Sequence, residues 1–218
     1  MLFWMCADVL VAAGLALAPP PHVTLAVDLS RTPPMPPAQL RAMSEEASAI
    51  WHRYGVSLLW VTGDTVPGHR RPQMMLTVVD QSTGETDGPA ARARPLGGIV
   101  FFEGRLLAEA RISVSVDAIS EVVESGTWLG RDVLALPGTV RYALVGRALG
   151  RVLAHEIGHY LLAWRNHAAK GLMRPSFSRR LLIDPNRVPF EVTEFFVPRL
   201  RDRLTQLAVV GSPRPSAP

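Results

Sequence analysis

Residues 155–175 read HEIGHYLLAWRNHAAKGLMRP. Two histidines stand four residues apart, with a glutamate directly after the first. On a helix, His155 and His159 leave the same face one turn apart and can converge on one ion. Glu156 then lies beside them, where it can deprotonate a metal-bound water without occupying the metal. The spacing therefore predicts a catalytic zinc site carried by a helix.

A third ligand is needed, and we expect it downstream. His167 would complete a set of three neutral histidines and leave a fourth position for water, as in hydrolytic zinc sites. Glu156 would accept the proton of that water as it attacks a polarised carbonyl. Glu191 or Glu194 is the alternative third ligand and would give a two-histidine, one-glutamate site. We favour His167, because the chain turns back immediately before it.

The motif falls late in a long predicted helix, from about residue 139 to 162. Apolar residues cover more than half of its circumference, which is typical of a buried helix. Small residues recur at steps of four, at Gly146, Gly150, Ala154 and Gly158. Such a stripe lets another backbone pack closely, which offsets the cost of about 1 kcal/mol for each interior glycine.

The remainder of the chain predicts alternating strands and helices. Strands are predicted at 22–29, 56–61, 74–79, 97–102 and 111–116, and helices at 38–54, 117–123 and 193–209, with a helical turn within 176–183. The opening β-α-β unit implies parallel strands with a right-handed crossover. One of the strands 97–102 and 111–116 should be an edge strand. Pro198 should bend the last helix or mark its start.

Composition indicates a folded protein with no obvious nucleic-acid partner. The 218 residues are 48% hydrophobic and 19% charged, which suffices for a real core. The net charge is +4, but the basic residues are scattered rather than clustered, so we expect no nucleic-acid binding. Cys6 is the only cysteine, which excludes an internal disulfide and a four-cysteine zinc site.

The two ends of the chain are predicted separately. Residues 1–21 form a candidate leader, because the apolar run 9–18 ends in Ala-Leu-Ala like a signal-peptide core and cleavage site. Asp8 and the absence of a preceding basic residue argue against it. Export would make the protein secreted or extracytoplasmic; otherwise it is cytoplasmic. The run is too short to span a bilayer, and residues 211–218 should be disordered.

The stretch 155–175 resembles the zinc-binding segment of the metzincin metallopeptidases, particularly matrixins and small archaeal and bacterial members. That clan has HExxHxxGxxH followed by a methionine turn beneath the metal. The resemblance implies that His155, His159 and His167 bind Zn²⁺, that Glu156 is the general base, and that Met173 supports the site from below.

The resemblance also implies an architecture and a mode of substrate binding. The expected fold class is α+β, with a twisted, mostly parallel sheet of four to five strands, an antiparallel edge strand, a backing helix, an active-site helix and a small C-terminal lobe. In such folds the edge strand above the cleft binds an extended peptide by backbone pairing. We place this strand at Gly98, Ile99, Val100 and Phe101, with 111–116 as the alternative.

Two departures from the clan pattern concern the end of the helix. His167 follows His159 by eight positions rather than six, and Leu162 stands where the clan has its helix-ending glycine. Non-glycine residues adopt the left-handed conformation reluctantly. We therefore expect the helix to run slightly further and to turn near Arg165 and Asn166, with Asn166 tolerating the unusual backbone.

Residues 22–210 are accordingly predicted to form one metallopeptidase-like domain, with an upper lobe of about 22–162 and a lower lobe of about 163–210. The expected function is a zinc-dependent endopeptidase acting on a peptide or protein substrate. Two alternatives stay open. One is a catalytically idle protein that contains zinc or binds peptides, and the other is a zinc amidohydrolase with a non-protein substrate. The oligomeric state is not predicted.

Overall fold

The computed structural model describes residues 22–62, 75–80, 95–99 and 109–210. The described residues form a mixed α/β fold with a five-stranded sheet and several helices. The strands are β1 Val23–Arg31, β2 Val56–Val61, β3 Met75–Asp80, β4 Gly97–Ile99, β5 Glu109–Val114, β6 Thr127–Trp128 and β7 Arg131–Asp132. The helices are α1 Pro37–His52, α2 Val116–Glu124, α3 Gly138–Leu162, α4 Arg179–Ile183 and α5 Val197–Val210.

The main sheet is mostly parallel, with one antiparallel strand at its edge. Its order is β2-β1-β3-β5-β4. The pairings among β2, β1, β3 and β5 are parallel, whereas β4 runs antiparallel to β5. This confirms the predicted sheet type. Of the two candidate edge strands, β4 lies at the edge and β5 lies inside the sheet.

The strand β4 is held in register by one side chain as well as by the ladder. Gly98 pairs with Ser113, and the hydroxyl of Ser113 donates to the carbonyl oxygen of Gly98 at 3.0 Å. Val100 and Phe101, which we predicted as the continuation of this strand, lie outside the described residues, as do the predicted leader and the predicted disordered tail.

The helices α1 and α3 pack closely because glycines on α3 face the backbone of α1. A Cβ at Gly150 would lie 2.6 Å from the carbonyl oxygen of Met43, and one at Gly146 would overlap the carbonyl oxygen of Gln39. These distances are shorter than van der Waals contact. The predicted role of the small-residue stripe, a close approach of two backbones, is confirmed at these two positions.

Two predicted boundaries were wrong, although Pro198 does mark the start of the last helix as one of the two predicted options. The strand β5 ends at Val114, and Val116 already belongs to α2, because Ser115 caps that helix by accepting from the backbone N–H of Ala118 at 3.3 Å. The helix α5 begins at Val197 rather than residue 193, so Pro198 stands in its first turn.

Within the described ranges, none of the helices is long and apolar enough to cross a membrane. The division of the chain into lobes near residue 162 stays a prediction.

Candidate metal centre

The helix α3 carries three polar side chains at its buried end. His155, Glu156 and His159 are each about 5–6% exposed. The helix is fixed at this point by α1, because the indole N–H of Trp51 donates to the carbonyl oxygen of Ala154 at 3.1 Å. The residue that directly precedes His155 is therefore tied to the backing helix, which keeps the two histidines on a rigid support.

Backbone carbonyls determine the tautomers of both helical histidines. His155 Nδ1 lies 2.7 Å from the carbonyl oxygen of Leu172, and His159 Nδ1 lies 2.6 Å from that of Trp164. Since a carbonyl oxygen can only accept, both Nδ1 atoms carry hydrogen. On both neutral rings the lone pair is then on Nε2, which is the form in which histidine binds a metal.

The two Nε2 nitrogens lie close together. His155 Nε2 and His159 Nε2 are 3.0 Å apart. Each could offer its lone pair to one cation placed between them. Zinc–nitrogen bonds are about 2.0–2.1 Å, so two nitrogens at this separation can share one zinc ion.

His167 joins the pair from the loop after the helix. Its ring stacks on His155 with centroids 5.3 Å apart and meets His159 edge-on at 5.0 Å. One ligand atom from each of the three histidines lies within 4.8 Å of the other two. Three imidazoles in this arrangement could hold a metal ion, and they are compatible with zinc.

The alternative third ligands lie elsewhere. Among the described residues, the metal-compatible group that contains the two helical histidines includes neither Glu191 nor Glu194. The carboxylate of Glu191 forms an ion pair with Arg53 instead. Glu194 is exposed and lines a different cleft, beside Phe195.

The protonation states suit a metal site. Burial, the main cause, lowers the pKa of His155 to about 4, and it also lowers the pKa of His159. The hydrogen bonds to the carbonyls act in the opposite direction but do not overcome burial. Both rings are therefore neutral near pH 7, so metal binding would not have to displace a proton from them.

The turn after α3 is not where we predicted it. The helix ends at Leu162, and Ala163 adopts the left-handed conformation with φ +44° and ψ +49°. Asn166 was predicted for this role. The Arg199 side chain explains the earlier stop, because Nε donates to the Leu162 carbonyl at 2.6 Å and Nη2 to the Ala163 carbonyl at 3.2 Å. A cation at a helix C-terminus is favourable, and these bonds satisfy its last carbonyls.

Met173 is buried beside the helix α3. A Cβ at Gly158 would come within 2.5 Å of its sulfur, so the thioether fills the space that glycine leaves between the two histidines on the helix. The backbone on either side is also fixed. Met173 accepts from the N–H of Ala168 at 2.7 Å, and the preceding Leu172 carbonyl holds His155. The segment therefore packs against the helix that carries the two histidines, and its Leu172 carbonyl orients the ring of His155.

The side chain of Glu156 lines a cleft of about 430 Å³. The strand β4 lines the cleft as well, as does the loop that carries Arg165 and His167. The lining residues are Gly97, Gly98, Ile99, Glu156, His159, Arg165 and His167. A Cβ at Gly97 would lie 3.1 Å from a carboxylate oxygen of Glu156, so the edge strand passes directly over this side chain. Glycine at this position allows the strand to approach.

Burial raises the pKa of Glu156 to about 7. A carboxyl group with a pKa in that range can both accept and return a proton near neutral pH. A cation held by the adjacent histidines would favour its ionised form.

Two charged residues near the site were missed by the sequence reasoning. Arg151, one turn before His155, is fully buried and bonds Glu46 of α1 at 2.8 Å. The sequence did contain a signal for the burial of Arg151, because this residue falls on the same apolar face of the helix as Leu144 and Ala148. Arg165, in the loop before His167, lines the cleft. No motif marks it, and only the folded loop shows its position.

The chain was compared with known proteins. No protein-family model matches it, and no curated protein matches it. Among solved structures, it is similar to the crystal structure of archaemetzincin from Methanopyrus kandleri. The match has 14% sequence identity and a TM-score of 0.45, and it covers 84% of this chain and 96% of that chain. The function of the site therefore has to follow from its own geometry.

Proposed function

We propose that this protein is a metzincin-like zinc metallopeptidase, with His155, His159 and His167 as the zinc ligands and Glu156 as the general base. The observation that carries the proposal is the convergence of three histidines, each with one ligand atom within 4.8 Å of the other two, in the cleft that Glu156 also lines.

The reaction follows from the positions of the side chains. A zinc ion in such a site acts as a Lewis acid on a carbonyl and makes a water molecule more acidic. Glu156 follows His155 directly and lines the same cleft, so its carboxylate can accept a proton from the attacking water and return it to the leaving amine. Met173 keeps the ligands in place and takes no part in the chemistry.

The substrate is proposed to be a peptide or protein bound along β4. This strand is at the sheet edge, three of its residues line the cleft, and it passes over Glu156. An edge strand can pair with an extended peptide through its backbone. Gly98 and Ile99 are the described residues of β4 that could pair with such a peptide. The contribution of Val100 and Phe101 stays a prediction.

The test combines metal analysis with a peptide-library digest. The wild type should contain about one zinc ion per chain and cleave peptides, and Glu156→Gln should keep the zinc but lose cleavage by a factor of 10² or more. Glu45→Gln removes the same charge from an exposed position on α1 and should behave as the wild type. Equal digestion by the wild type and Glu156→Gln would refute the mechanism, and a wild type that binds no zinc would refute the site.

The third ligand is tested separately. His167→Ala should weaken zinc binding sharply, whereas Glu194→Ala and Glu191→Ala should leave it unchanged, as measured by competition with a chromophoric chelator. The reverse result would favour a two-histidine, one-glutamate site.

The same experiments separate the alternatives. A catalytically idle protein would bind zinc and show no cleavage that depends on Glu156, and an amidohydrolase would cleave small amides but not the library. Export of the protein rests on residues 1–21, outside the described residues, and stays a prediction.

A further inference from the structure

The cleft above the histidines has a distinctive charge pattern. Gly97, Gly98 and Ile99 contribute backbone and apolar surface, and Glu156 is the buried carboxylate. Among the described residues that line the cleft, Arg165 is the one arginine or lysine. It is exposed, and a guanidinium stays protonated at any physiological pH. The permanent positive charge of this cleft, apart from any metal, therefore comes from Arg165.

Arg165 is held at the cleft by its neighbours. Trp164 accepts a hydrogen bond from His159 at 2.6 Å and donates from its own N–H to the His159 carbonyl at 3.2 Å. Its ring packs edge-on against Phe196 with centroids 5.8 Å apart and lies 4.9 Å from the Arg199 guanidinium. His167 follows two residues later. Arg165 thus stands between Trp164 and His167, both of which have contacts at the site.

Among the described residues that line the cleft, the Arg165 guanidinium is the group suited to an anionic part of a ligand. A planar guanidinium pairs with a carboxylate through two parallel hydrogen bonds, which are stronger than neutral ones. A peptide lying along β4 would share this cleft with Arg165, because Gly97, Gly98, Ile99 and Arg165 all line it.

We propose that Arg165 is a specificity-determining residue that binds a carboxylate of the substrate, so that the enzyme prefers peptides with a carboxylate close to the scissile bond. This inference rests on the proposed function, because it names the substrate class of the same site. The carboxylate can be an acidic side chain or the C-terminus of a short peptide. Both offer the same pair of oxygens to the guanidinium.

The experiment uses acetylated alanine-leucine hexapeptides in matched pairs. In one arm, each position in turn carries Glu or Gln in a C-terminally amidated peptide. In the other arm, the C-terminus is a free acid or an amide. The kcat/KM of each peptide is measured for the wild type, Arg165→Gln, Arg165→Lys and Arg180→Gln. Arg180 is exposed on α4 and lines a different cleft, so its variant controls for the change in net charge.

The wild type should favour the carboxylate member of at least one pair by roughly 10- to 100-fold, the range expected of a charge-assisted hydrogen-bonded pair. Arg165→Gln should lose that preference mainly through KM, with little change for the neutral peptides. Arg165→Lys should keep part of it, and Arg180→Gln all of it. The arm in which the preference appears identifies the source of the carboxylate. A uniform fall in kcat/KM for charged and neutral peptides alike would overturn the inference, because Arg165 would then act on the reacting carbonyl or on the fold.

A binding measurement keeps this test independent of the proposed activity. Calorimetry with the same peptides is done on zinc-loaded Glu156→Gln and on Glu156→Gln combined with Arg165→Gln. If the wild type cleaves nothing, the proposed function fails, but tighter binding of carboxylate peptides that disappears with Arg165 still supports the inference. Equal binding of charged and neutral peptides overturns it.

Discussion

Replacing Glu46 by glutamine removes the charge that balances Arg151 inside the protein. Glu46 lies on α1 and Arg151 on α3, with Arg151 Nε donating to Glu46 Oε1 at 2.8 Å. Their side chains are 3% and 0% exposed. The remaining Arg151 nitrogens donate to the backbone carbonyls of Leu181 and Asn186, so one side chain joins three segments one turn before His155.

The expected loss in the free energy of unfolding follows from the burial of the Glu46–Arg151 pair. Burial lowers the pKa of Arg151, but a guanidinium stays protonated in a protein, so Glu46→Gln leaves an uncompensated buried cation. Breaking a buried pair in this way costs about 3–5 kcal/mol. Arg187 also bonds Glu46, at 2.9 Å, but its side chain is 49% exposed. That contact should contribute only about 0–1 kcal/mol, so Arg187→Gln is the matched comparison.

The assay is urea denaturation followed by tryptophan fluorescence, at one fixed concentration of chelator so that metal binding does not contribute. With a slope near 2 kcal/mol/M, Glu46→Gln should lower the midpoint by roughly 1.5–2.5 M and Arg187→Gln by less than about 0.5 M. If the two variants lower the midpoint equally, the buried pair does not carry the stability that its geometry implies.

A double-variant cycle separates charge from packing. Glu46→Leu combined with Arg151→Met replaces both charges by apolar groups of similar length. The double variant should be more stable than the sum of its single variants predicts, because neither charge is left unpaired. Additive losses would mean that the hydrogen bonds of Arg151 to the backbone carbonyls, rather than its pairing with Glu46, hold this part of the fold.

Three further outcomes test the site and its supports. In calorimetry, zinc at a hundredfold excess over Kd should raise the Tm of the wild type by roughly 5–11 °C relative to the zinc-free protein. In His167→Ala, most of that rise in Tm should be lost. Gly171→Ala should lower the free energy of unfolding in urea by about 2–3 kcal/mol, because its φ is +78° and a Cβ would lie 2.6 Å from a carbonyl oxygen. Gly130→Ala, with φ +77° and open space, should cost only about 1 kcal/mol. Gly158→Ala should weaken zinc binding about tenfold in a chelator competition, because the new methyl displaces the Met173 sulfur.

The parts of the fold that could be predicted from the sequence are those with a local cause. Apolar periodicity predicted the strands and helices, because each element buries one face of its own residues. The step of four between Gly146 and Gly150 predicted a close helix pair, and both glycines do face carbonyl oxygens of α1. The motif spacing placed His155 and His159 on one face of a helix, which is also a local property.

The parts that could not be predicted depend on contacts between distant residues. The apolar pattern ended the helix at the right residue, 162, but the turn after it was placed too late, at Asn166 rather than Ala163, because only the local propensity of Asn166 for left-handed backbone was considered. Arg199 lies far along the chain, yet its bonds to the carbonyls of Leu162 and Ala163 allow an alanine to adopt φ +44°. The eight-residue step to His167 is thus accommodated by a loop outside the helix rather than by a longer helix.

The competence of the site for metal also depends on groups that no motif contains. A zinc-binding motif specifies which imidazoles are present, but the nitrogen that faces the ion is decided by the acceptor on the other side of the ring. Here those acceptors are the carbonyl oxygens of Leu172 and Trp164, which every residue possesses and which a sequence pattern cannot single out. Substituting the Leu172 side chain should therefore affect the core more than the tautomer of His155. A shift of its backbone should instead impair zinc binding while all three histidines remain in place.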